Sequence, residues 1–291
     1  MELELKRAAA RPGGDPGRRA GILPGRAGAG VHLGGHPAYW PGRNPLLFPI
    51  VGMLKEGKIR FDGREYAMER HGFARRREFT PAARGEDWVR LELRESAETL
   101  ALYPYPFRLA VEQRLTDTGF STAVTVANPG EGPLPFCLGA HTGFRCPLEA
   151  GERFEDYELV FPERESCPTL LLRDGLLDRP AALPCLEDTD TLPLDYRWFD
   201  ALDTLIFEGL RSRSVALRSR KSGRGVRVSF DGFPMLAFWT MPGKKAPYLC
   251  IEPWHGCAAG TAEGPEFTDK AHCIVLAPGE SRTLAYRADT L

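Results

Sequence analysis

The sequence predicts an all-β fold of short antiparallel strands, a sandwich or barrel in a single domain. Three observations carry this. Apolar and polar residues alternate with a period of two in one segment after another. Gly, Pro, Asn and Asp turn signals separate the segments. No stretch sustains a helical stripe over three turns, and there is no βαβ rhythm.

The alternation is plainest between residues 88 and 126. Val89, Leu91 and Leu93 alternate with Arg90, Glu92 and Arg94. Leu109, Val111 and Leu115 share one face with Phe107, against Arg108, Ala110, Glu112 and Arg114. Thr122, Val124 and Val126 alternate up to the turn Asn128-Pro129-Gly130. Earlier, residues 58–61 and 65–68 flank Asp62-Gly63, a dipeptide that favours the left-handed conformations of a tight hairpin. Further short strands are expected at 157–161, 204–207, 215–218, 225–230, 235–240, 248–251 and 282–286. Residues 162–193 are richer in Asp, Leu and Pro and read as a less regular insertion with room for one short hairpin.

Residues 1–36 differ from the rest. The run 8–35 is packed with Arg, Gly, Pro and Ala and carries neither a period of two nor a helical one. By composition it is a poorly ordered segment ahead of a folded unit at 37–291. Its bias is also what a GC-rich gene yields when read out of frame over a short interval. His32 and His36 have a helix-like ligand spacing, but Gly34 and Gly35 between them argue against a metal site.

The chain has 291 residues, 38 Lys plus Arg and 39 Asp plus Glu, so its net charge is near zero. That argues against a general nucleic-acid partner, which would need a positive field. No apolar run approaches the ~18 residues of a membrane helix, and residues 1–6 lack the apolar core of a signal peptide. The seven cysteines are odd in number and form no CxxC pair. They read as reduced thiols of a cytoplasmic protein, mostly packed as small hydrophobes, with no zinc site.

Three of the six histidines stand among small and aromatic residues: His71 in His-Gly-Phe-Ala-Arg, His141 in Gly-Ala-His-Thr-Gly-Phe and His255 in Glu-Pro-Trp-His-Gly. Glu252 follows the apolar run 248–251 and precedes Pro253 and Trp254. Burial there would raise a carboxyl pKa, and a nearby imidazole would complete an acid/base pair. Each residue alone is more often structural than catalytic. Trp40 and Trp254 suit either a core or a stacking face for a sugar ring. Arg218, Arg220, Lys221, Arg224 and Arg227 surround Ser222-Gly223 and read as a solvated hairpin, with a phosphate site the weaker alternative.

The motifs taken in order resemble the aldose 1-epimerase family, also called hexose mutarotases, of the galactose mutarotase-like superfamily. Residues 39–75 carry Trp-x-x-Arg-x-Pro-x-Leu-Phe-Pro and His-Gly-Phe-Ala-Arg; Leu138-Gly-Ala-His141 with Phe144, Gly232-Phe-Pro with Phe238-Trp239, and Cys250-Ile-Glu252-Pro-Trp254-x-Gly256 follow. The resemblance implies a large antiparallel β-sandwich with a carbohydrate cleft and a small-molecule sugar partner. It implies an isomerase that interconverts the α and β anomers of an aldohexose, with no metal or organic cofactor. By matching motif, Glu252 would be the general base, His141 the general acid and His71 an orienting partner. Arg75 or Arg43 would hold sugar hydroxyls or a phosphate, beside Trp254 and Trp40. Met53 departs from the pattern, standing where an Arg that reaches the sugar is expected. That departure motivates two alternatives, a hexose-6-phosphate mutarotase and a non-catalytic carbohydrate-binding or regulatory protein. If His141 and Glu252 lie too far apart to flank one sugar C1–O5 unit, the enzyme reading fails.

Overall fold

The computed structural model describes residues 18–19 and 38–291. The expectations for residues 1–36, His32 and His36 among them, lie outside the described residues. The exception is the backbone of Arg18–Arg19, which pairs antiparallel with Phe79 and Glu78.

The predicted alternation becomes a 16-stranded antiparallel sheet that folds over on itself. One half runs through Glu78–Arg84, Trp88–Arg94, Arg108–Leu115, Gly119–Ala127, Ser281–Thr290, Gly225–Ser229 and Ser214–Ser219 to the start of Tyr157–Arg173. The other runs from the end of that same strand through Thr204–Glu208, Met235–Trp239, Tyr248–His255 and Leu138–Ala140 to Leu46–Leu47. Tyr157–Arg173 thus belongs to both halves, pairing Val160 with Ala216 and Leu170 with Ile206.

The core lies between the halves. Leu109, Val111, Val124 and Val126 are buried, as their period requires. A fully buried Val, Leu or Phe contributes about 1.5–3 kcal/mol. The Phe48 and Phe107 rings meet at 5.3 Å from opposite halves. Asn44 donates to the Tyr286 hydroxyl at 2.7 Å and accepts from Thr142 at 2.8 Å, so a polar network also crosses the interior.

Two expectations need correction. Residues 162–193 are no loose insertion: Tyr157–Arg173 and Leu176–Pro193 form one long hairpin, closed at Asp174-Gly175. Its register shifts at four places, so neither strand keeps a period of two for long enough to be read. The strand expected to end at residue 251 continues as Tyr248–His255, carrying Glu252 and Pro253 inside the sheet. The hairpin at Asp62-Gly63 forms as expected, with both residues at positive φ. The basic hairpin around Ser222-Gly223 is solvated, with Arg218 on Glu158, Lys221 on Asp156 and Arg224 on Glu149.

Candidate active site

Sheet register brings the two central residues together. Gly139 pairs with Trp254, and Thr142 with Ile251, in one continuous register. His141 therefore stands directly across from Glu252, at the distance where opposed side chains interact. Pro253 has no N–H to give the ladder, and the strand partnering it is interrupted at His141. The result is His141 Nε2 at 3.3 Å from Glu252 Oε1, with both side chains buried.

Burial decides their protonation. It pushes the Glu252 carboxyl well above the usual carboxylate range, the Trp254 indole opposing the shift without cancelling it. The same desolvation lowers His141 to about 3. Its ring stacks on Trp40 at 4.7 Å and meets the edge of Trp239 at 5.6 Å. Desolvation thus disfavours charge on both groups and favours a carboxyl facing a neutral imidazole.

His71 is set by a clasp with Gly52. The His71 N–H donates to the Gly52 carbonyl at 2.9 Å, and the Gly52 N–H donates to His71 Nδ1 at 3.1 Å. Accepting at Nδ1 fixes the neutral tautomer with its proton on Nε2. Burial first, then the neighbouring His141 and Arg75, hold His71 well below its ordinary pKa. His71 and Gly72 both adopt positive φ, and the following Phe73 and Ala74 N–H groups donate to the Phe48 carbonyl.

These residues line one cleft of about 310 Å³. It takes in Trp40, His71, Arg75, His141, Glu252 and Trp254 from the sequence-based expectation. Arg43 does not line it; its carbonyl accepts from the Gly143 N–H at 2.9 Å. The other arginine that lines it beside Arg75 is Arg70, whose carbonyl accepts from Arg75 Nη2 at 2.7 Å. Arg70 immediately precedes the His-Gly-Phe-Ala-Arg motif, and nothing in its spacing marks it. Asp203 and Leu172 were also missed. Asp203 ends the short helix Tyr196–Leu202 at positive φ, and Leu172 comes from the long hairpin that sequence periodicity could not resolve.

Four polar atoms of lining residues are buried without a hydrogen-bond partner: Arg75 Nε, His141 Nδ1, Glu252 Oε2 and Trp254 Nε1. Each such orphan costs about 1–3 kcal/mol. Several converging on one cleft mark a place where a polar ligand supplies the missing partners.

The antiparallel β-sandwich is of the galactose mutarotase type. The sequence matches the aldose 1-epimerase family over residues 31–288, and the chain belongs to that family, whose chemistry is of the isomerase class. It is 39% identical over 258 residues to the plasmid-encoded protein LacX of Lactococcus lactis subsp. lactis, covering 86% of each chain. The galactose mutarotase related enzyme from Lactobacillus acidophilus superposes with a TM-score of 0.85 at 28% identity, covering 90% of this chain and 87% of that one. A galactose mutarotase-like protein from Lactobacillus casei gives 0.81 at 28% identity, covering 90% and 89%.

Proposed function

We propose that the protein interconverts the α and β anomers of an aldohexose by general acid/base ring opening. The observation that carries this is the His141–Glu252 pair, 3.3 Å apart at the cleft. Ring opening removes the proton of the C1 hydroxyl and delivers one to the ring oxygen. Glu252 as carboxylate is the base, and His141 as imidazolium the acid. That ion pair has the same proton count as the resting pair of carboxyl and neutral imidazole. One proton transfer within the pair reaches it, and sugar hydroxyls that satisfy the orphaned atoms would stabilise it. When the ring opens, Glu252 holds the C1 hydroxyl proton and His141 is neutral, which is the resting state again. Rotation about C1–C2 and the reverse transfers close the other anomer.

In this reading His71 Nε2–H donates to a sugar oxygen, Arg75 holds hydroxyls, and Trp40 and Trp254 pack on the ring. A cleft near the lower end of the roughly 300–1,000 Å³ range of small-molecule sites suits a monosaccharide. A cytoplasmic location goes with a soluble metabolite and with seven cysteines suited to a reducing compartment.

Polarimetry on freshly dissolved α-D-glucose and α-D-galactose tests the proposal. Wild type should speed the approach to equilibrium, and Glu252→Gln should lose about 10²–10⁴-fold of that acceleration. A folded wild type no faster than buffer on either sugar would overturn it. A second reading, a hexose phosphate as substrate, is favoured by the two arginines, Arg70 and Arg75, that line the cleft. It expects hexose 6-phosphates to be turned over in preference, with inorganic phosphate competing.

A further inference from the structure

We propose that His141, Cys250 and Glu252 form a binding site for a soft divalent cation such as Zn²⁺, whose occupation shuts off the acid/base pair. One ligand atom from each of the three lies within 4.8 Å of the others. The metal binding stands on this geometry alone; the inhibition rests on the function proposed above.

The arrangement follows from the strand. Cys250 and Glu252 are two apart in Tyr248–His255 and so share a face. Gly143, opposite Cys250, brings no side chain, and His141 stands opposite Glu252. The sequence hid this because His141 comes from a distant strand and these three residues follow no CxxC or HxxxH spacing.

The donor set is imidazole nitrogen, thiol sulfur and carboxyl oxygen, which selects Zn²⁺ or Co²⁺ over Mg²⁺ or Ca²⁺. A thiolate and a carboxylate neutralise a dication, so the buried site would carry no net charge. Ligand atoms on one tetrahedral Zn²⁺ lie about 3.5 Å apart, given bond lengths of roughly 2.0–2.3 Å. The His141–Glu252 separation already meets this, and the Cys250 sulfur needs to close by about 1 Å. The site is also short of partners: Glu252 Oε2 and His141 Nδ1 are buried and unbonded.

Sugar anomerisation has no use for a thiol. Cys250 is fully buried, packed with Ala246 and Tyr248 against Trp40 and Trp239, and does not line the cleft. Its placement beside the pair is therefore what goes beyond the sugar chemistry. A cation there takes the lone pairs that proton transfer needs. A fourth position stays open toward the cleft, as in three-ligand zinc sites.

Equilibrium dialysis of the full chain with Co²⁺ or Zn²⁺, together with the Co²⁺ absorption spectrum, tests this. Wild type should bind Co²⁺ with a thiolate-to-metal charge-transfer band that Zn²⁺ abolishes. Cys250→Ser should lose the band and weaken Zn²⁺ binding at least tenfold, since even outer-shell changes cost 10–100-fold. Glu252→Gln, with the thiol retained, should weaken binding as well. Circular dichroism and thermal melting establish that each variant is folded. Binding without the band, or with equal affinity in folded Cys250→Ser, overturns the site. The spectrum reads metal whether or not the protein turns over a sugar, so failure of the site and failure of the proposed activity stay separate. Where activity is present, Zn²⁺ should inhibit wild type at concentrations that leave Cys250→Ser at least tenfold less affected.

Discussion

Arg70 Nη2 donates a hydrogen bond to the Sδ of Met53 at 3.0 Å. Met53 stands where the family resemblance calls for an arginine, and methionine has no hydrogen to donate. The side chain that reaches this corner of the cleft is Arg70, from the residue before His71. Arg70 thus brings a guanidinium to the corner where Met53 has none. If Arg70 takes over sugar binding, Arg70→Met removes a charge-assisted hydrogen bond worth about 1.5–3 kcal/mol. KM should rise about 10–100-fold with kcat nearly unchanged, the pattern of lost uniform binding. Initial rates by polarimetry across sugar concentrations read both constants. An unchanged KM would return the role to Arg75 alone.

The His141–Glu252 pair should behave as one unit. In the proposed mechanism each proton transfer needs both partners, so removing either disables the same step. Glu252→Gln and His141→Asn should each lose about 10²–10⁴-fold. The double variant should be no more than about tenfold worse than the poorer single one, because groups acting together are not additive. Losses that multiply would mean two independent sites.

Burial of this pair also predicts a pH signature in stability. Glu252 is held well above its ordinary 4.5 in the folded protein. Above pH 4.5 the unfolded chain releases that proton and the folded one keeps it, so stability falls as pH rises toward the folded pKa. His141 runs the other way, with 6.5 unfolded and about 3 folded. Between those values the unfolded chain binds the extra proton, so stability falls as pH drops from 6.5 toward 3. Each slope is about 1.4 kcal/mol per pH unit for one proton. Urea unfolding across pH should show wild type losing stability relative to Glu252→Gln above pH 4.5. Relative to His141→Asn it should lose stability below pH 6.5. Flat difference curves would mean that neither group has a shifted pKa.

What was legible in the sequence follows physical lines. Strands half-exposed on one face, such as Trp88–Arg94 and Arg108–Leu115, alternate cleanly and were read nearly to their ends. The Tyr157–Arg173 and Leu176–Pro193 hairpin was not, because bulges reset its register and scramble the faces. Glu252 and His141 were legible as motif members. Their direct opposition was not, because it depends on the register of two strands far apart in sequence. Arg43 was a natural candidate from its motif, yet the side chain at the cleft is that of Arg70, and only the path of the backbone around Gly52 and His71 decides this.

That backbone path rests on Gly72. Its φ is +67°, and a Cβ there would sit 2.2 Å from the Phe48 carbonyl oxygen, which accepts hydrogen bonds from Phe73 and Ala74. Gly63 has a similar φ of +76° with nothing within 4 Å of its would-be Cβ. The two glycines separate backbone strain from collision. Gly63→Ala should cost only the left-handed penalty, about 1–2 kcal/mol. Gly72→Ala adds displacement of a carbonyl that holds two N–H groups, and should exceed that cost by about 2 kcal/mol or more. It should also cost activity, because moving residue 72 releases His71 from its clasp with Gly52, whereas Gly63→Ala should leave the rate unchanged. Urea denaturation and polarimetry on the two variants side by side check both halves. Equal destabilisation would show that the loop yields around Phe48. Full activity in a destabilised Gly72→Ala would show that His71 holds its place without the clasp.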